Sequence, residues 1–210
     1  MINTFYQDNF RQLCDELSKK DPHLLYIIKQ HGYPPLWKRR PEYATLVHII
    51  LEQQVSLASA KAALAKLKQK LGRITAKKVI ELTDTELRAC YFSRQKTVYV
   101  KALANAILTG EIDLKKLNKE PDEIIREKLK KIKGIGDWTV DIYLLMALSR
   151  TDIFPMGDLA LINSLKKIKK LQGSVSREEI LNMAKNWSPH RSLATMLFWH
   201  AYLEEKKIKL

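Results

Sequence analysis

Cysteine is nearly absent: Cys14 and Cys90 are the only two in 210 residues, and they stand far apart. A disulfide framework is thereby excluded, as is a cysteine cluster for zinc or iron–sulfur, and both residues are expected in the apolar core. His48, His190 and His200 are too dispersed to argue for a metal site, so no side-chain metal ligands are expected. No apolar run approaches the roughly 20 residues that a bilayer span needs. The start "MINTFYQDNF" lacks the charged opening and apolar centre of a signal peptide. These absences lead us to expect a soluble intracellular protein. Acidic residues are in deficit, with 23 Asp and Glu against 37 Lys and Arg. The resulting charge of +14 and pI near 9.7 suit a polyanionic partner, nucleic acid ahead of an anionic membrane surface.

Period-2 alternation is also missing beyond a few residues, as are internal repeats and low-complexity linkers. Apolar residues recur instead at helical spacing, which makes the class all-α. Asp21-Pro22 opens a helix that Gly32 stops, and "YPPLWKRR" reads as a loop. Pro41 is placed at a first helical position, ahead of "EYATLVHIILEQQ". The segment "SLASAKAALAKLKQKLG" forms a second helix ending at Gly72, and Thr83 with Glu86 has capping-box spacing. Further helices are expected at about 93–108, 121–132, 137–149, 158–168, 177–187 and 189–207. The scattered lysine pairs are mostly solvated helix faces.

The connection between "EPDEIIREKLKKIK" and "DWTVDIYLLMAL" holds two glycines around one isoleucine. Gly134 can take a left-handed conformation that ends the first helix, while Gly136 lets another molecule approach the backbone. Free N–H groups at the next helix start, with the positive end of its dipole behind them, suit a phosphate. Lys130, Lys131 and Lys133 add charge that makes such binding strong and salt-dependent. Asp137 brings negative charge to the same place, a modest cost, since it also suits a helix N-terminus. An empty helical hairpin is as good a reading of two glycines taken alone.

"LKKIKGIGDWTVDIYLLMAL" followed by "DIFPMGDLAL" resembles the hairpin and Gly/Pro-rich aspartate loop of the helix-hairpin-helix (HhH-GPD) DNA glycosylases. Within them the chain is most similar to the bacterial 3-methyladenine DNA glycosylase II branch. "IILEQQVSLASAKAA", "FSRQKTVYVKALANAI" and "WSPHRSLATMLFWHAYL" resemble further segments of the family in collinear order, across most of residues 20–203. The resemblance implies two small helical lobes with a DNA-binding cleft between them. Lobe A would comprise about 1–40 plus 150–210, and lobe B about 41–149 with the hairpin at 121–149. It also implies a monomeric enzyme of base excision repair acting on double-stranded DNA that contains damaged bases, with no membrane partner. The location implied is cytoplasmic, at the nucleoid in a bacterium.

Taken alone, Asp158 is a good helix cap. By position in the motif it matches the family's catalytic aspartate. A fixed carboxylate stabilises the positive charge that builds on deoxyribose as an N-glycosidic bond breaks, and it can orient or deprotonate water. Relatives that also cut the backbone carry a lysine two positions beyond the second hairpin glycine. Here that position is Trp138, which cannot form a Schiff base. A monofunctional glycosylase without lyase activity is implied, leaving an abasic site.

Such an enzyme flips its target nucleotide and fills the gap behind it. The motif makes Gln54, with Gln53 beside it, the candidate wedge, polar where some relatives are apolar. An aromatic surface favours cationic alkylated purines by about 0.5–2 kcal/mol. Trp138 is the best base-pocket candidate and Tyr143 and Trp199 are weaker, because aromatics on helices are more often core. Trp37 with Lys38, Arg39 and Arg40 suits either a pocket mouth or a small satellite core, and Arg191 is expected to bridge helices or hold the Asp158 loop. Phosphate binding is assigned to Lys133, Gly134, Ile135 and Gly136. No cofactor is expected, although hairpin carbonyls around Lys133 and Ile135 commonly hold a monovalent cation in such motifs. The rival readings are a non-catalytic DNA-binding module and a glycosylase for oxidised or deaminated bases.

Overall fold

Most helices begin where the sequence supplies a side-chain oxygen to receive the first free N–H groups. The computed structural model describes residues 3–208. In chain order its helices are α1 (Gln7–Lys20), α2 (Pro22–His31), α3 (Tyr43–Glu52), α4 (Leu57–Leu71), α5 (Ala76–Ile80), α6 (Asp84–Ala89) and α7 (Arg94–Leu108). There follow α8 (Leu114–Leu117), α9 (Asp122–Lys130), α10 (Asp137–Met146), α11 (Leu159–Ile168), α12 (Arg177–Lys185) and α13 (Arg191–Glu205). Side chains of Asp21, Ser56, Thr75, Thr83, Ser93, Asp113, Asp158 and Ser176 each accept from the backbone of the helix they precede. The expected capping box is present: Thr83 and Glu86 exchange bonds with each other's backbone N–H groups. Among the described residues the one β-pairing is a bridge between Thr4 and Arg150, and no helix is long and apolar enough to cross a membrane.

The chain separates into two units. One joins the N-terminal stretch through Lys38 to the chain from Leu144 onward; the other is Arg39–Tyr143. In the first, α13 is the central element, packed against α1, α2 and α11. Leu193 to Ala201 are buried without interruption, Thr195 and His200 among them, so this stretch of the helix is enclosed on every face rather than along one apolar stripe. The Trp187 ring packs against that of Phe198 on this helix, tilted at 54° with centroids 5.4 Å apart. In the second unit α3 is the buried helix, packed against α4 and α7 through Leu46, Val47, Ile49 and Ile50. Burying each such side chain contributes about 1.5–3 kcal/mol. Cys14 and Cys90 are both in the core as expected, and burial with Asp15 nearby pushes the Cys14 thiol up to about 12.

Several boundaries differ from the sequence reading. Pro41 lies outside α3, because Glu42 is extended and the Thr45 hydroxyl donates to the Arg40 carbonyl, so the helix starts at Tyr43. α10 stops at Met146 rather than at 149: Ser149 takes a positive φ of 54°, and its carbonyl accepts from Phe5 N–H. α1, α5 and α8 were not anticipated. α5 and α8 are too short for a 3.6-residue period to show, while α1 buries Phe10, Cys14 and Leu17 at spacings of four and three.

Candidate functional site

In the second unit the chain turns from α9 to α10 over Lys131–Gly136. Gly134 has φ +90°, and a Cβ there would fall 2.0 Å from Cγ of Tyr99. Its glycine therefore serves two ends, the left-handed turn and the close approach of an aromatic ring. Gly136 differs: its φ is ordinary and nothing lies within 4 Å of a Cβ built on it. Ile135 is buried and anchors the turn, whereas Lys133 and Gly136 are exposed. Asp137 opens α10 with its carboxylate 2.6 Å from Lys130 Nζ, so part of its charge is met within the hairpin.

The end of α3 and the first residue of the loop that follows it are tied at three successive positions. Lys96 Nζ donates to the Leu51 carbonyl at 2.6 Å, and burial pushes that ammonium's pKa down. Arg39 grips the Glu52 carboxylate with two bonds of 2.8 and 2.7 Å, and His48 Nε2 lies 3.3 Å from the same group. Gln53 Nε2 donates to the Gly134 carbonyl and to Thr139 Oγ1, each at 2.9 Å. Since a carbonyl only accepts, the nitrogen must be the atom facing Gly134. Gln54 then stands exposed at φ +54°, uncommon for a residue with a Cβ.

Two sequence assignments change here. Gln53 is no wedge, because its amide is spent holding the hairpin. Tyr143 is not a pocket wall: it is fully buried, and its hydroxyl donates to Asn118 Oδ1 at 2.8 Å. Trp138 is half-buried on the first turn of α10.

In the first unit Asp158 is the N-cap of α11. Its Oδ1 accepts from Leu161 N–H at 2.8 Å and from Trp199 Nε1 at 2.9 Å, so two donors on one oxygen orient the carboxylate. Trp199 is buried, with the ring of Trp37 at 6.4 Å in an edge-on arrangement. His200, next along α13, also meets Trp37 edge-on, and its Nε2 lies 2.9 Å from the His31 carbonyl. Trp37 thus joins this aromatic cluster. The chain leading to Asp158 is pinned to the start of α13. Arg191 forks onto Asp152 at 2.7 and 2.8 Å, Ser188 adds a bond of 3.0 Å, and the Ser192 hydroxyl bridges Ile153 N–H and the Arg150 carbonyl. Burial raises the Asp152 pKa, but the Arg191 and Ser188 bonds outweigh it and hold the carboxyl below its usual range. Arg191 accordingly holds the Asp158 loop. Sequence reasoning missed Asp152, Ser192 and the indole bond to Asp158; the adjacent Arg-Ser pair opening α13 was the only signal for any of them. Leu159, directly after Asp158, is 77% exposed.

A family model described as "HhH-GPD superfamily base excision DNA repair protein" matches residues 47–190. The chain is 30% identical over 191 residues to DNA-3-methyladenine glycosylase 1 of Schizosaccharomyces pombe, covering 87% of this chain and 83% of that one. The solved structure of the S. pombe 3-methyladenine DNA glycosylase in complex with abasic DNA matches with a TM-score of 0.83 at 27% identity, covering 90% of this chain and 95% of that one. A DNA-3-methyladenine glycosidase structure from Bacillus halodurans matches at 0.74 with 25% identity, over 93% and 91% of the two chains.

Proposed function

As the chain belongs to the HhH-GPD superfamily of base excision DNA repair proteins, we propose that it is a monofunctional DNA glycosylase. It releases alkylated purines from double-stranded DNA by hydrolysis and leaves an abasic site. The observation that carries this reading is Asp158, a helix cap whose Oδ1 also receives an indole N–H. A cap alone needs no tryptophan on its carboxylate. A site that must present negative charge to a sugar in a set orientation does. The relatives named above act, by their names, on 3-methyladenine, which supports alkylated purines as the substrate class.

Each part then has a chemical task. The N-glycosidic bond of an alkylated purine breaks with positive charge on the sugar; the Asp158 carboxylate opposes that charge and orients the attacking water. Trp138 stands where a lyase would keep its lysine, so no Schiff base forms and the backbone is left intact. Gln54 fills the gap left by the flipped nucleotide and hydrogen-bonds the estranged base. Trp138 supplies aromatic surface for a cationic purine. Lys133, Gly136 and the N–H groups opening α10 hold a phosphate, with a monovalent cation at the hairpin carbonyls as the remaining expectation. The protein is expected to act as a monomer wherever the genome is, in the cytoplasm and at the nucleoid of a bacterium.

The test uses duplexes carrying 3-methyladenine, 7-methylguanine, 1,N6-ethenoadenine, hypoxanthine or 8-oxoguanine, with abasic sites revealed by alkali. Wild type should release the alkylated purines, and Asp158→Asn should lose at least about 100-fold in rate while binding an abasic-analogue duplex within about threefold of wild type. Release that survives Asp158→Asn defeats the mechanism. Binding without release from any duplex favours a non-catalytic module.

A further inference from the structure

Leu51, Glu52 and Gln53 are each tied by a side-chain bond to another part of the second unit, and only then does the chain reach exposed Gln54. The third tie differs in kind. Lys96 and Arg39 brace the end of α3 against its surroundings, whereas Gln53 bonds the hairpin itself, at the carbonyl of its turning glycine and at Thr139 on the first turn of α10. Both N–H groups of the amide are used, and both acceptors belong to the element assigned to phosphate. Gln53 and Gln54 are consecutive, so a movement of the hairpin that drags Gln53 must alter the backbone at Gln54. That backbone already sits in a sparsely populated region, which persists only while its surroundings hold it.

We propose that Gln53 is a positioning residue that couples the two DNA contacts: phosphate held by the hairpin favours the conformation in which Gln54 is presented for insertion, and insertion in turn tightens the phosphate grip. This rests on the glycosylase reading above. The linkage is reciprocal, as any coupling of two binding events must be. Gln53 touches neither base nor sugar and acts through Gln54 and Gly134.

A triple-variant cycle tests it. Binding to a duplex with a tetrahydrofuran abasic analogue is measured for wild type, Gln54→Ala, Lys133→Ala and their combination. The same set is then measured in a Gln53→Met background, which keeps side-chain length and removes the donors. With Gln53 present, the combined variant should lose about fivefold less affinity than the product of its two single losses; with Met, the losses should multiply to within about twofold. Thr139→Val, which deletes one of the two acceptors at constant shape, should reduce the coupling part-way, and it stands in for Gln53→Met if that variant fails to fold. A merely structural Gln53 would lower affinity in every background and leave the non-additivity unchanged, and that outcome overturns the proposal. Wild type that binds no duplex sinks the glycosylase reading and the coupling together; wild type that binds and excises with the same coupling in both backgrounds sinks the coupling alone.

Discussion

The loop that ends at Gln54 and the loop that ends at Asp158 both present a polar side chain just before a helix, yet they are held in opposite ways. Asp158 is gripped directly: a backbone N–H and an indole N–H bind the carboxylate oxygen itself. Gln54 is gripped through its predecessors, whose carbonyl, carboxylate and amide are each bonded while its own side chain is exposed at a left-handed φ. A group that acts through charge in one orientation gains from bonds on its own atoms. A group that must enter a partner gains only if its backbone is set and its side chain is left to the partner. Lesions should therefore act locally at Asp158 and at a distance at Gln54.

The largest expected effect is at such a distance. Gly134→Ala forces a Cβ into the Tyr99 ring and a side chain into φ +90°, and should destabilise the protein by about 2–4 kcal/mol. A fall of roughly 5–12 °C in thermal unfolding would report it. Gly136→Ala, with open space at its Cβ, should leave the melting temperature within about 2 °C and weaken DNA binding instead. Equal melting losses at the two glycines would erase the distinction between them.

Trp199→Phe keeps a ring and removes the N–H on Asp158. About tenfold should be lost in the single-turnover rate, with abasic-analogue affinity unchanged. A drop in affinity with an intact rate would instead mark Trp199 as a pocket wall alone.

On the insertion role proposed above, Gln54→Ala should cost about fivefold, in affinity and in rate together. A pure rate effect would move Gln54 to the chemical step.

The smallest effect is expected in acid. Burial raises the Asp152 carboxyl, yet its bonds to Arg191 and Ser188 leave it below its ordinary value. A carboxyl depressed in the folded state adds stability that is present above its unfolded pKa and lost as pH falls through the folded one. The clamp is half-exposed, so the loss below about pH 4 should be under about 1 kcal/mol. Chemical denaturation of wild type and Asp152→Asn across that range should show the two curves converging in acid.

How much could be read from the chain alone depends on whether the cause is local. Helix periodicity, the caps at Thr83 and Asp158 and the turn at Gly134 are decided by neighbours within four residues, and all were legible. α5 and α8 escaped notice because one or two turns cannot display a period. Tyr143 and Gln53 were misassigned for one shared reason: whether a side chain on a motif faces a ligand or the interior depends on partners far along the chain, Asn118 for one and Gly134 for the other.

By itself the sequence determined an all-helical chain of strong positive charge, a glycine hairpin followed closely by a tryptophan and an aspartate poised to cap a helix. These follow from backbone sterics, charge and spacing, which act over short range. Tertiary structure decided which of two adjacent glutamines is spent inside the protein, that the Asp158 carboxylate receives the Trp199 indole, and why Gly134 admits no other residue. Each of these is a contact between segments 35 to 86 positions apart. Only the packed core sets such distances, because no local preference carries information about a partner that folding has yet to bring near.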